Sequence, residues 1–239
     1  MRHLLLGTLL GMVMLPCVAG GGVTIVHDHF DGGALDPAWV VHLDEDPAAD
    51  TWEYEVASSN LTVTDVTGAG EDEYCAVRLR RSCPLPGDFD LECAFSWDTS
   101  TEPESLSAMQ RFRVSLIDTA GEHLAVVAYA DEWIAYLGTI RAGLGGLSYD
   151  GGIGGLPHTG SATARITRSA DTVRVFWDTD QLLISMQPAE IESLEISFWY
   201  YKYQDSFFGS ESVDYVTVTA PESPVEATSW TRIKAFFRG

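Results

Sequence analysis

From Phe89 to Trp97 every second residue is large and apolar: Phe89, Leu91, Cys93, Phe95 and Trp97. Asp90, Glu92 and Ser96 stand between them, and Asp98 follows. A period of two places the two sets on opposite sides of an extended chain. The same spacing cannot form one stripe on a helix, whose period is 3.6. The pattern recurs along the chain. Trp52, Tyr54 and Val56 alternate with Glu53 and Glu55, and Leu61 and Val63 continue the row. Phe112, Val114 and Leu116 make another row, and Leu124, Val126 and Ala128 a fourth. Val173, Val175 and Trp177 follow, then Leu194, Ile196, Phe198 and Tyr200. Val213, Tyr215 and Thr217 are expected to close the set facing inward, opposite Asp214, Val216 and Val218.

Turn chemistry separates the rows at Pro84-Leu85-Pro86-Gly87-Asp88, at Asp118-Thr119-Ala120-Gly121 and at Asp178-Thr179-Asp180. Many strands, frequent turns and no long helical pattern predict an all-β fold of two packed antiparallel sheets. Two segments break the rhythm. Residues 143 to 155 carry seven glycines without a Lys-Ser/Thr ending, which predicts a surface loop and excludes a phosphate cradle. After Pro221 a Pro-Glu-Ser-Pro linker leads to a tail. There Thr228 or Ser229 would cap a short helix, with Trp230, Ile233 and Phe237 on one stripe.

The first residues read as an export signal, with Arg2 and His3 before an apolar run from Leu4 to Leu15. Cys17 and Ala19 then stand at the small-residue positions of a cut before Gly20. That run is shorter than the roughly 20 residues a spanning helix needs. A lipoprotein with Cys17 lipidated is the alternative, and Pro16 fits it poorly. The expected division is a signal peptide over 1–19, one domain over 20–220 and a tail over 221–239, with secretion as the destination. The chain carries a net charge of −21, which repels phosphate and excludes nucleic-acid binding as a main role. It also disfavours polyanionic polysaccharides unless basic residues cluster locally. Of Cys75, Cys83 and Cys93, at most one pair can bridge, and the three pairings stay open. No Cys-x-x-Cys spacing suggests zinc.

The phrase Asp28-His29-Phe30-Asp31-Gly32-Gly33-Ala34-Leu35-Asp36-Pro37-Ala38-Trp39 resembles the opening of concanavalin A-like lectin/glucanase domains. Leu85-Pro86-Gly87-Asp88-Phe89-Asp90-Leu91-Glu92 is similar to a strand approach in that family. Ala164-Arg165-Ile166-Thr167-Arg168 with Val173-Arg174-Val175-Phe176-Trp177 resembles its late hairpin, and Val213-Asp214-Tyr215-Val216-Thr217-Val218 its closing strand. Together these span most of residues 24 to 220. The resemblance implies a jelly roll of two curved sheets, the concave one often holding carbohydrate, followed here by the short tail. It also implies a structural calcium, with Asp214 and Asp28 as the matching carboxylates.

The chemistry of the family's enzymes is harder to place. Glucanase-like members carry Glu-x-Asp-x-x-Glu on one strand, because retaining hydrolysis needs two carboxyls roughly 5–5.5 Å apart. The nearest string, Glu190-Ile191-Glu192-Ser193-Leu194-Glu195, has Glu in the Asp place and reads as a solvated strand start. No catalytic residue is assigned. Opposite the inward Leu194 to Tyr200 row, Trp199, Tyr201 and Tyr203 are expected to face outward as a stacking platform for sugar rings. Arg111 and Arg113 on another strand would supply donors. The expected function is a secreted, non-catalytic carbohydrate-binding or surface-interaction module. The alternatives are a divergent glycan hydrolase of glucanase or 3-keto-disaccharide hydrolase type, and an adhesive protein self-associating through its tail or sheet edges.

Overall fold

A computed structural model of the chain shows fifteen strands and, among the described residues, no helix. It describes residues 22–45, 51–67, 73–98, 109–121, 123–132, 138–144, 151–157, 159–186, 190–202 and 210–221. The expected signal peptide and the tail lie outside these residues. The strands are β1 (Gly22–Asp28), β2 (Trp39–Glu45), β3 (Thr51–Ala57), β4 (Asn60–Thr67), β5 (Glu73–Leu85), β6 (Phe89–Asp98), β7 (Met109–Asp118) and β8 (His123–Glu132). They continue with β9 (Gly138–Leu144), β10 (Gly151–Leu156), β11 (Thr159–Ser169), β12 (Thr172–Trp177), β13 (Asp180–Met186), β14 (Ile191–Lys202) and β15 (Ser210–Pro221). One sheet has eight strands in the order β13-β12-β11-β6-β15-β4-β3, with β1 also on β15. The other has seven, in the order β10-β9-β8-β7-β14-β5-β2. All the strand pairs given a register are antiparallel.

The alternation seen in sequence becomes burial. Along β6, Phe89, Leu91, Cys93, Phe95 and Trp97 are all buried and the residues between them are not. Val173, Val175 and Trp177 do the same on β12. The inner faces of both sheets meet in one apolar cluster. Its centre is aromatic: Phe95 of the eight-stranded sheet stacks on Phe112 of the seven-stranded one at 4.0 Å between centroids. Phe112 in turn meets Phe198 edge-on at 5.4 Å, and Trp177 meets Phe95 edge-on at 4.8 Å. Such pairs contribute about 0.5–1.5 kcal/mol each beyond the area they bury, so they fasten the sheets at a fixed offset.

Three expectations are corrected. On β15 a register shift lies between Val213 and Tyr215, so Val213, Val216 and Val218 are buried whereas Tyr215 and Thr217 face away from the core. One inserted residue exchanges the two faces of everything after it. On β8, Val126 and Ala128 pair with Ser115 and Arg113, while Val127 and Tyr129 pair with the core residues Val114 and Phe112. The segment His123–Glu132 is apolar at both parities, so alternation alone could not choose. The glycine-rich stretch is mostly strand rather than loop: Gly151 to Gly154 on β10 pair with Ala142 to Thr139 on β9. Residues 145–150 lie outside the described residues.

The opening phrase is a packing device. Asp28 accepts from the Phe30 backbone N–H at 2.9 Å and from Trp39 Nε1–H at 2.8 Å. Both rings are buried, with centroids 6.3 Å apart. Asp36 accepts from the Ala38 N–H at 2.9 Å and from Arg81 at 3.2 Å. The Ala38 N–H, first, and then Arg81 hold its carboxyl below the usual aspartate range. Arg81 also lies over the Trp39 ring.

Candidate functional site

The register of the seven-stranded sheet assembles the face turned away from the core. Across β2, β5, β14, β7, β8 and β9 one row reads His42, Arg78, Ser197, Arg113, Ala128, Arg141. The row on one side reads Val40, Arg80, Glu195, Ser115, Val126, Gly143. On the other side it reads Asp44, Ala76, Trp199, Arg111, Ala130, Thr139. Tyr201 follows, beside Tyr74 and Met109. Strand pairing therefore brings Trp199, Tyr201, Arg111 and Arg113 to one face. Tyr203 lies outside the described residues.

The middle of this face is sealed. Arg113 is only 2% exposed, although it stands opposite the core side of β7, and Ser115, Glu195 and Ser197 are fully buried. Glu195 is not the solvated residue its sequence neighbourhood suggested. Its Oε2 accepts from Arg80 Nη2 at 2.8 Å and from Nε at 3.3 Å. Arg80 itself keeps 38% of its side chain in solvent. Glu195 Oε1 and Ser115 Oγ, on cross-strand neighbours, are buried without a hydrogen-bond partner. Glu190 and Glu192, by contrast, are exposed. The argument that put Trp199 on the outer face puts Glu195 there too. Its burial was hidden because Arg80 is 115 positions away in the chain.

The two carboxylates expected to hold calcium have other work. Asp28 spends both oxygens on Phe30 and Trp39, and Arg81 Nη1 lies 3.8 Å from its Oδ2. A guanidinium at that distance opposes a cation, so Asp28 does not fit a calcium ligand. Asp214 sits at the β15 bulge with its Oδ1 2.8 Å from the Asn60 side-chain amide, which donates to it once the amide is turned to satisfy both its O and its N. Burial pushes its carboxyl above the usual aspartate range. Among the described residues, no three His, Cys, Asp or Glu side chains gather as a metal site.

The outer face of the eight-stranded sheet holds a second polar cluster that sequence reading passed over. His27 Nδ1 lies 3.2 Å from Thr217 Oγ1, and the His27 and His29 Nε2 atoms are 3.1 Å apart. The Tyr215 ring tilts against His29 at 5.7 Å, while its hydroxyl donates to Glu92. That bond and burial push the phenol up to about 12. Arg165 forks onto Asp90 next to this group. The signal was the β15 bulge, which turns Tyr215 and Thr217 towards β1; without it they face the core and the cluster does not form.

No family model and no curated protein matches the sequence. Solved structures do match the fold. The CBM2 module of the evolved Dit of Lactobacillus casei BL23 phage J-1 aligns at a TM-score of 0.58 and 12% identity, covering 83% of this chain and 95% of that one. The fold is a two-sheet antiparallel jelly roll. A β-1,3-glucanase from Mycobacterium marinum shares this jelly roll at a TM-score of 0.55 and 14% identity, over 82% of this chain and 99% of that one. The Emp47p carbohydrate recognition domain does so at 0.54 and 10%, over 84% and 97%. At such identities the likeness is one of fold, and this jelly roll hosts binding modules and hydrolases alike.

Proposed function

We propose that this chain is an exported jelly-roll module that binds carbohydrate without cleaving it, on the outer face of the seven-stranded sheet. The observation that supports this most is the condition of Glu195. It is the single carboxylate on the outer face of β14 between Ser193 and Tyr201, and it is buried and held by Arg80. Hydrolysis with retention needs two carboxyls about 5–5.5 Å apart, one of them able to reach the glycosidic oxygen. A sealed carboxylate fixed by a guanidinium performs neither role. What the face does offer is the chemistry of recognition. Trp199 and Tyr201 occupy alternate positions of β14, the spacing a stacking platform for sugar rings needs, and Arg111 stands in register with Trp199 beyond the sealed middle of the face. Carbohydrate binding by the Emp47p domain, and by the phage module as its name describes it, lends this reading weight.

The test is a glycan array probed with the chain and with a Trp199→Ala/Tyr201→Ala variant, each with and without calcium. Binding lost in the variant supports the face. Release of reducing ends from any bound glycan, abolished by Glu195→Gln, would replace the module with a divergent hydrolase. Silence across the array would favour the adhesive reading.

A further inference from the structure

His27 and His29 take no part in the carbohydrate reading, and they lie on the other sheet. His27 is the penultimate residue of β1, and His29 follows the Asp28 that ends it. Residues two apart on an extended chain project to one side, and both histidines are exposed. Asp28 between them turns the other way, accepting from the Phe30 N–H and from the buried Trp39 ring. Phe30 is itself buried, at a φ of 51°. The chain is therefore pinned on both sides of His29. The two Nε2 atoms converge to 3.1 Å, with the rings inclined at 86°. Behind them, His27 Nδ1 stands 3.2 Å from Thr217 Oγ1 on the adjoining β15, and His29 rests against the Tyr215 ring.

Two ring nitrogens this close need something between their lone pairs. In the metal-free molecule that is a shared proton, and the same position suits a metal ion that displaces it to solvent. Imidazole binds late first-row divalent ions with nitrogen at about 2.0–2.1 Å. Two such nitrogens on one ion, at square-planar or tetrahedral angles, stand about 2.9–3.4 Å apart, so the observed separation needs little rearrangement. Ligation through His27 Nε2 requires its proton on Nδ1, where Thr217 Oγ1 is placed to accept it. Partners of this kind orient ligating imidazoles. The surroundings favour a cation: Arg165 is engaged by Asp90, Glu92 adds a second carboxylate, and the chain carries a net charge of −21. We propose that His27 and His29 bind a late first-row divalent metal ion, copper(II) most tightly, with water in its remaining positions. Two protein nitrogens make an open, exchangeable site rather than a closed structural one. That agrees with the absence of any three-ligand cluster among the described residues. Calcium, which takes six to eight oxygens, is not the ion for it.

Calorimetric titration of the chain, prepared without a histidine tag, with copper(II) chloride and then with zinc chloride tests this. The expected result is one tightly held copper per chain, with zinc bound more weakly. The electron paramagnetic resonance spectrum at one equivalent of copper should show coupling to two imidazole nitrogens. His27→Gln and His29→Gln should each weaken copper binding about tenfold or more and remove one of those couplings. Both residues are exposed, so the melting temperature of the metal-free variants should match that of the parent. Thr217→Val, which keeps both ligands and loses only the acceptor for Nδ1–H, should weaken copper about tenfold with the two-nitrogen coupling retained. His42→Gln, on β2 of the other sheet, should change nothing. Copper binding that survives both His27→Gln and His29→Gln at the affinity of the parent overturns the proposal, as does an absence of bound copper at the first equivalent. Neither result bears on the carbohydrate face, which lies on the other sheet.

Discussion

Cys83 and Cys93 are free thiols buried in the core, so no bridge joins either of them to another cysteine. Burial pushes Cys83 up to about 11, and Cys93 still higher. Since the thiolate is the reactive form, both should stay unlabelled by iodoacetamide at pH 8 in the native protein. Both should label in urea, read by peptide mapping. Labelling of Cys93 without unfolding would contradict its burial. Tyr215 makes a matching prediction at high pH. Its folded pKa of about 12 lies above the ordinary value near 10. Its contribution to stability is therefore complete below pH 10 and disappears as pH rises through 12. Absorbance at 295 nm should show one tyrosine ionising late, and Tyr215→Phe should remove that component. Asp214 has the opposite consequence. Burial raises its carboxyl, so the charged form costs stability at neutral pH, and Asp214→Asn should raise the melting temperature slightly. A calcium-dependent rise in melting temperature that this variant abolishes would instead mark Asp214 as a ligand.

Between strands, close approach and turn geometry carry the stability. A Cβ on Gly160 would lie 2.6 Å from the Trp97 ring. Trp97 is held by Phe95, Trp177 and its own donation to the Pro157 carbonyl. Gly160→Ala should therefore destabilise by about 1–3 kcal/mol, measured by urea unfolding. An unchanged midpoint would mean that the ring moves aside without loss. Asp28→Ala removes the acceptor of two donors, one on the buried Trp39. A buried donor left without a partner costs about 1–3 kcal/mol, so a loss of about 2–3 kcal/mol is expected. Asp28→Asn, which keeps one acceptor oxygen, should lose less. At this scale the family-like opening phrase acquires its reason. Its Asp, Phe and Trp are chosen for one another, and no ligand is needed to explain them.

For the whole molecule, two sheets whose central strands come from distant parts of the chain imply slow folding, because long loops must close before contacts form. In the eight-stranded sheet β6 is flanked by β11 and β15, and in the seven-stranded sheet β14 is flanked by β5 and β7. The all-β class and the inward rows of β6, β7, β12 and β14 were legible in the sequence alone. There an uninterrupted alternation had only one parity that buried large side chains. The turns at Pro86, Thr119 and Asp178 were legible for the same local reason. The parity of β8 and the second half of β15 was not legible. A run that is apolar on both faces, or a strand with one inserted residue, reads equally well in either register until its partners choose. Pairing likewise decided the candidate face. Period two could set Trp199, Tyr201, Arg111 and Arg113 opposite the core, because that is a property of each strand by itself. Only the sheet order could place Arg78, Arg113 and Arg141 in one row, seal Glu195 under Arg80 and turn Tyr215 towards His29. Those residues lie tens to hundreds of positions apart, and nothing local in a chain encodes which distant strand will lie beside it.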